Sequence, residues 1–155
     1  MKVGIGYDIH RFVKGRGLFI GGVHIPYDWG LLGHSDGDVL IHSIIEALLG
    51  ASHMGNIGEI FPDTDERYRG ISSLELLKIT IEKIRGRVVN IDSVIICETP
   101  RLSPFVGYMR KNISRIIGID EDSISIKPRT NEGLDSIGEG KAIAAYTVCL
   151  LEEDV

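Results

Sequence analysis

The sequence predicts an α/β protein of the α+β kind, with a single mixed β-sheet and helices packed on one face. Three observations predict it. Segments with period-2 and with helical hydrophobic spacing follow in the order strands, helix, helix, strand, helix, strand, strand, which one mixed sheet under helices accommodates. The chain has 155 residues, so a single domain over 1–155 is expected, long enough to bury a core without staples. The run Val148-Cys149-Leu150-Leu151 shows no polar alternation, so both faces of that strand call for cover, and self-association through the helix-free sheet face is the expectation.

Each element has a local reason. Residues 2–8 alternate, with Val3, Ile5 and Tyr7 on one side and glycines where something approaches closely. Residues 18–20 and 23–25 read as a hairpin around Gly21-Gly22, and 27–34 as an aromatic, Gly-rich loop. A helix follows, with Ser35 as N-cap, Asp38 completing a capping-box variant, Leu40, Ile44, Ala47 and Leu48 at helical spacing, and Gly50 as the stop. Residues 51–71 carry Gly55, Gly58, Pro62 and Gly70 without a clear period. A loop of about twenty residues in a compact domain is usually functional or mobile. Ser72-x-x-Glu75 opens a second helix with Leu74, Leu77, Ile81 and Ile84 on one face, ending near Gly86. Residues 88–97 form a strand and 100–104 a turn. Phe105, Met109, Ile113, Ile116 and Ile117 mark a third helix closed by Gly118. Residues 123–127 alternate as a strand, 133–140 read as loop, and 142–151 as a final apolar strand.

The net charge of −5 argues against a nucleic-acid surface. It leaves an anionic substrate open, because a bound metal supplies local positive charge. Cys97 and Cys149 are too few and too far apart for a zinc knuckle or disulfide framework, and read as buried free thiols. No run approaches the roughly 18–20 apolar residues of a membrane span, and the N-terminal residues lack a signal-peptide core. A cytoplasmic address without membrane contact is expected.

The chemistry concentrates in two segments. Asp8 and His10 are two apart, so on an extended strand they share a face. His42 lies on the capped helix. Two imidazoles and a carboxylate with an open position make a catalytic zinc pattern. On spacing alone the plain alternative stays open, with Asp8 capping a turn and the histidines on the surface or in the core. His34-Ser35-Asp36-Gly37-Asp38 is denser in functional groups than a cap requires. A helix N-terminus suits a phosphate, and Asp36 and Asp38 are placed to hold a histidine in one tautomer. An over-capped helix is the plain alternative here.

These motifs resemble the 2-C-methyl-D-erythritol 2,4-cyclodiphosphate synthase family. The likeness is carried by Gly6-Tyr7-Asp8-Ile9-His10, Ile20 to Pro26, the run from Gly33 through Ser35-Asp36-Gly37-Asp38-Val39 to His42, Ala47 to Ala51, Gly55 to Gly58, and Phe61 to Asp65. The resemblance implies a homotrimer with active sites between subunits, closing through the sheet face opposite the helices. It implies a small-molecule cytidine diphosphate substrate, cyclised with loss of CMP. Asp8, His10 and His42 would hold one Zn²⁺ per subunit, and Glu132 a Mg²⁺ or Mn²⁺ bridging the substrate diphosphate. His34, Asp38 and Thr130 would be catalytic. Asp8, His10, His34, Ser35, Asn56, Gly58, Phe61, Pro62, Asp63, Thr64, Asp65, Cys97, Pro100, Arg101, Leu102, Thr130, Asn131 and Glu132 would bind the substrate, with His34 and Ser35 near the methylerythritol phosphates, Phe61 to Asp65 as the methylerythritol wall, Cys97 to Leu102 as the cytosine pocket and Thr130 on the diphosphate. Read without the family, Glu132 is an ordinary solvated loop residue.

The chain departs from the family pattern at Asn56, where an Asp is common, and in the Asp135–Lys141 segment. Glu139 aligns there with an Arg that in some members helps an axial cavity hold an isoprenoid diphosphate, so poor binding of such a ligand is expected. The runner-up activity is a zinc-dependent phosphohydrolase using the same ligands to activate water. A non-catalytic module binding a nucleotide or metal is the third reading.

Overall fold

In the computed structural model, which describes residues 1–154, five strands form one sheet in the order β4-β1-β7-β5-β6. These are β1 (Lys2–Lys14), β4 (Trp29–Leu31), β5 (Arg87–Ile96), β6 (Ile124–Arg129) and β7 (Ala142–Glu152). The β5–β6 pair is parallel and the other pairs are antiparallel, so the sheet is mixed as expected. A parallel pair needs a crossover, and helix α4 (Val106–Ile117) lies in it. Strands β2 (Leu18–Ile20) and β3 (Val23–Ile25) make the separate hairpin expected around Gly21-Gly22.

Helix α1 (Val39–Ala51) packs across β1 and β7 and is the centre of the core. Leu40, Ile41, Ile44, Ile45, Leu48 and Leu49 are all fully buried, so the helix is covered on every side. The strand glycines explain how close it comes. A Cβ at Gly4 would fall on the backbone of Ala47, and one at Gly6 on the backbone of Ser43. The contact holds a line of hydroxyls. Ser43 donates to the Leu40 carbonyl at 2.8 Å, and the Thr147 hydroxyl lies 2.7 Å from both Ser43 Oγ and Ser93 Oγ. Helix α3 (Ser73–Lys83) packs beside α1, and α4 beside α3. Helix α4 ends as expected on Gly118, whose φ of 81° suits a residue without Cβ. Both cysteines are buried free thiols. No helix among the described residues is long and apolar enough to cross a membrane.

Several local expectations are corrected. Strand β1 runs to Lys14 because Phe12–Lys14 pair with β4, inside the segment read as loop. The N-cap of α1 is Asp38, not Ser35. Asp38 accepts from Ile41 N at 3.1 Å and from Gly21 N and Gly22 N at 3.0 and 2.8 Å, so one carboxylate caps the helix and fastens the hairpin turn to it. Asp38→Ala removes the acceptor for three backbone donors. It is expected to cost about 2–4 kcal/mol in chemical denaturation, the sum of a lost cap and stranded buried N–H groups. Loss below about 1 kcal/mol would mean that other acceptors take over.

The 51–71 stretch is not structureless. It holds α2 (Ile57–Ile60), capped by Asn56, and a 3₁₀ turn at Glu66–Tyr68, capped by Asp65. Ser72 precedes α3 but makes no side-chain cap. The cap comes from Asp36, whose carboxylate accepts from Ser73 N at 2.9 Å. The buried stripe of α3 is Ser73, Leu76, Leu77 and Thr80, rotated from the expected one, while Leu74 and Ile81 are only partly buried. The 133–140 segment holds a one-turn helix, α5 (Asp135–Gly138). Its Ile137 packs on Ala142, Ala144 and Ile96, so one end of the second sheet face is covered. Along β1 and β7 the face is an exposed apolar surface, with Val3 and Ile5 69% and 68% exposed and Tyr7, Ile9, Tyr146 and Val148 beside them, while toward β6 it carries the Asp92–Lys127 ion pair. Strand β7 therefore alternates between core and this surface, and its lack of polar residues reflects an apolar exterior rather than two buried faces.

Candidate active site

Strand β1 turns its even-numbered residues toward α1. Asp8 and His10 follow Gly6 on that side, and His42 meets them from the first turn of α1. Asp8 Oδ2 lies 2.8 Å from His10 Nε2 and 3.1 Å from His42 Nδ1, and the two histidine nitrogens are 3.3 Å apart. Donors bound tetrahedrally at the usual zinc distances lie about 3.3 Å from one another, so this trio fits such an ion. His10 Nδ1 donates to the Leu32 carbonyl at 2.6 Å, which leaves Nε2 as the nitrogen with the free lone pair.

The electrostatics agree with the geometry. Without a metal, burial opposes ionisation of Asp8, but the hydrogen bonds and charge of His10 and His42 in their doubly protonated form outweigh it and hold the carboxyl below its ordinary value; a metal ion takes the place of those hydrogens. Burial pushes His10 down, while Asp8 and the Leu32 carbonyl outweigh it and raise it. Asp38 is pushed up by burial and by Asp36, against the pull of its three backbone donors.

The three groups open on a cavity of about 310 Å³. His34, Ser35 and Asp63 add polar groups to its lining, Gly58 leaves room, and Ile57, Phe61, Tyr68 and Leu76 form an apolar wall. Two contacts hold this wall. Glu46 accepts from Ile57 N at 2.8 Å, and the His34 carbonyl accepts from Gly70 N at 2.9 Å. Arg16 grips the loop below, donating to the Gly33 and Ser35 carbonyls at 2.8 and 2.5 Å. On the far side of its ring, His42 Nε2 lies 3.0 Å from Ser35 Oγ and 2.8 Å from Ser73 Oγ.

A second cavity, of about 340 Å³, is lined by Cys97, Glu98, Pro100, Arg101, Leu102 and Ser103, with Pro128, Arg129 and Thr130 opposite. The segment expected to read the cytidine thus faces Thr130. Glu98 accepts from Asn131 N at 2.6 Å and from Gly133 N at 3.5 Å, which turns the 130–133 loop. Glu132 sits on that turn with φ 55°. Burial pushes the Cys97 thiol up to about 12, so it stays protonated near neutral pH and is no nucleophile. Among the described residues, none lines both cavities.

The YgbB family matches residues 1–152. The chain belongs to it. A curated relative from Desulforamulus reducens, named 2-C-methyl-D-erythritol 2,4-cyclodiphosphate synthase, is 50% identical over 99% of each chain. Among solved structures, the bifunctional IspDF of Campylobacter jejuni matches with a TM-score of 0.94 and 38% identity, over 99% of this chain and 42% of that one. A CDP-bound 2C-methyl-D-erythritol-2,4-cyclodiphosphate synthase matches with a TM-score of 0.89 and 34% identity, over 97% of this chain and 100% of that one. The resemblance read from the motifs holds, and this YgbB-family chain is an enzyme of the cyclodiphosphate synthase group.

Among the residues expected at the site of this YgbB member, Asp8, His10, His34, Ser35, Gly58, Phe61 and Asp63 line the first cavity, with His42. Asn56 caps α2, and Asp65 caps the next turn and pairs with Arg67, while Pro62 and Thr64 are off the lining. Asp38 is fully buried at the helix start and touches neither cavity. Asn131 and Glu132 follow Thr130 beyond the second lining. Glu139 pairs with Lys141 at 2.7 Å and lines a groove with Arg11 and Trp29. Sequence reasoning missed Ser73, Glu98 and the wall residues Ile57, Tyr68 and Leu76. Only the tertiary fold brings them in; a Ser pair before a helix reads as a cap.

Proposed function

We propose that the chain cyclises 4-diphosphocytidyl-2-C-methyl-D-erythritol 2-phosphate to 2-C-methyl-D-erythritol 2,4-cyclodiphosphate with release of CMP, in the non-mevalonate isoprenoid pathway. One observation carries the reading: Asp8, His10 and His42 meet in a cavity shared with Ser35, Phe61 and Asp63, in a chain of this family. An oxygen of the 2-phosphate bonds to the β-phosphorus. The bond from that phosphorus to the oxygen bridging the α-phosphorus breaks, and CMP leaves with the oxygen.

Two anionic groups must approach, so the protein's task is to neutralise and align them. One zinc ion per subunit, held by Asp8, His10 and His42, would supply Lewis-acid polarisation of the phosphoryl oxygens. His34 and Ser35 orient the methylerythritol phosphate by hydrogen bonds, and Asp63 accepts from the sugar hydroxyls. Ile57, Phe61 and Leu76 exclude water, which disfavours hydrolysis. Thr130 holds the diphosphate, while Cys97, Pro100, Arg101 and Leu102 take the cytidine. Glu132 fits a Mg²⁺ or Mn²⁺, since such ions take one or two carboxylates together with substrate phosphates. Asn56, Pro62, Thr64 and Asp65 shape the wall, and Asp38 sets the helix that carries His42.

The two separate cavities support an active site built between subunits of a homotrimer. The exposed apolar sheet face supports closure through Val3, Ile5, Tyr7, Ile9, Tyr146 and Val148. Residues 1–155 act as one catalytic unit in the cytoplasm, without nucleic-acid or membrane partners.

Phosphorus NMR of the protein with this substrate, Zn²⁺ and Mg²⁺ tests the reading. CMP and a cyclic diphosphate are expected. Inorganic phosphate as the product would replace the synthase with a phosphohydrolase, and unchanged substrate would leave a binding module.

A further inference from the structure

We propose that Ser73 is a positioning residue of the metal centre: its hydroxyl links Asp36 to His42 and fixes the His42 tautomer that turns a free Nδ1 lone pair toward the ion. The inference rests on the zinc reading above. Ser73 is fully buried at the start of α3. Its hydroxyl donates to Asp36 Oδ1. With that hydrogen committed, the Ser73 oxygen presents only lone pairs to His42 Nε2, 2.8 Å away. Nε2 must then carry a hydrogen and donate it. A neutral imidazole has one N–H, so Nδ1 is left bare, and Nδ1 is the atom beside Asp8 Oδ2 and His10 Nε2. His10 reaches the same state by the opposite route, its Nδ1 donating to Leu32 and its Nε2 bare. Both rings thus aim an unprotonated nitrogen at one point.

A carboxylate behind a ligating histidine fixes its orientation and raises its basicity. Here a hydroxyl stands between the two. Asp36 is itself held by Asp38 N at 3.1 Å and Ser73 N at 2.9 Å, so the relay is anchored at the starts of α1 and α3. It also frees Ser35. The Ser35 hydroxyl lies 3.0 Å from the same Nε2, but it cannot donate to a nitrogen that already carries hydrogen. Its own hydrogen is available to an anionic oxygen in the cavity that Ser35 lines.

A purely structural reading would need only the Ser73 backbone N–H, which caps α3 through Asp36. Ser73→Ala keeps that bond and removes the hydroxyl. Zn²⁺ affinity by chelator competition, the visible spectrum of the Co²⁺-loaded protein and the melting temperature of the metal-free protein should be compared for native, Ser73→Ala, Ser73→Thr and Asp36→Asn chains. Ser73→Ala is expected to weaken Zn²⁺ binding by about 10–100-fold and to shift the Co²⁺ bands, with Ser73→Thr restoring most of the affinity. Native Zn²⁺ affinity and Co²⁺ bands in Ser73→Ala would overturn the proposal. Affinity lost in both Ala and Thr variants, in step with lower metal-free melting temperatures, would overturn it too and assign Ser73 to packing. If Ser73→Ala does not fold, Asp36→Asn decides by the same Zn²⁺ and Co²⁺ readouts. A native chain that binds no Zn²⁺ would instead overturn the metal reading itself.

Discussion

His42→Ala is expected to abolish zinc retention and turnover together while leaving the fold intact. His42 supplies one of three protein donors, and the remaining pair, Asp8 and His10, cannot close a tetrahedral site with enough ligands to hold the ion. The loss of activity should exceed the roughly 10–100-fold that removal of a supporting partner costs. The side chain sits at the edge of the cavity and is 9% exposed, so truncation opens space toward solvent rather than inside the core. Zinc content by elemental analysis, with turnover followed as CMP release, checks both halves. Full activity in this variant would remove His42 from the metal site. Mild acid should mimic the substitution reversibly. The metal-free His10 holds its proton above the ordinary histidine value, so protons compete with zinc and its apparent affinity falls progressively as the pH drops below that raised value.

Gly6→Ala is expected to cost about 3 kcal/mol, the upper end for overpacking, because the added methyl meets the Ser43 backbone rather than a movable side chain. For a chain of this size that lowers the melting temperature by about 6–12 °C. The displaced part is the α1–β1 contact, which also sets the distance from His42 to Asp8 and His10. Zinc affinity should therefore fall with stability. Gly50→Ala is the contrast. A Cβ there meets only the Ile5 carbonyl, at 3.9 Å, and alanine in a helix interior gains about 0.5–1 kcal/mol over glycine. Calorimetry of both variants tests the pair, and equal melting temperatures would show that α1 moves away from β1 at little cost.

The strands and helices were legible where hydrophobic period and end signals agree, as in β5, β6 and the helix ending at Gly118. Helix α1 was legible as a helix but not in its start. Ser35 and Asp38 are both capping types, and the choice falls to Asp38 because the hairpin turn at Gly21-Gly22 supplies two more donors. Strand β4 was illegible because three residues carry no period, and it exists only by pairing with the end of β1. At the site, Asp8 and His10 could be paired from their spacing on one strand. Joining His42 to them required the close α1–β1 approach that Gly4 and Gly6 permit, which the glycines hinted at without naming the partner. Ser73 was beyond reach, since its role depends on Asp36 meeting α3 from a distant loop.

The buried hydroxyls between α1 and the sheet read in one direction only. Ser43 spends its hydrogen on Leu40, so Thr147 must give its own to Ser43, and Ser93 must give its own to Thr147. The queue has a head and a tail. Ser93, at the tail, can be lost with every remaining hydrogen still placed. Ser43, at the head, cannot, because Thr147 and Ser93 would then have only each other, and one of their two hydrogens would lack an acceptor inside a dry interface. Tolerance to change along this line should therefore rise from the helix toward β5, although all three positions are equally buried.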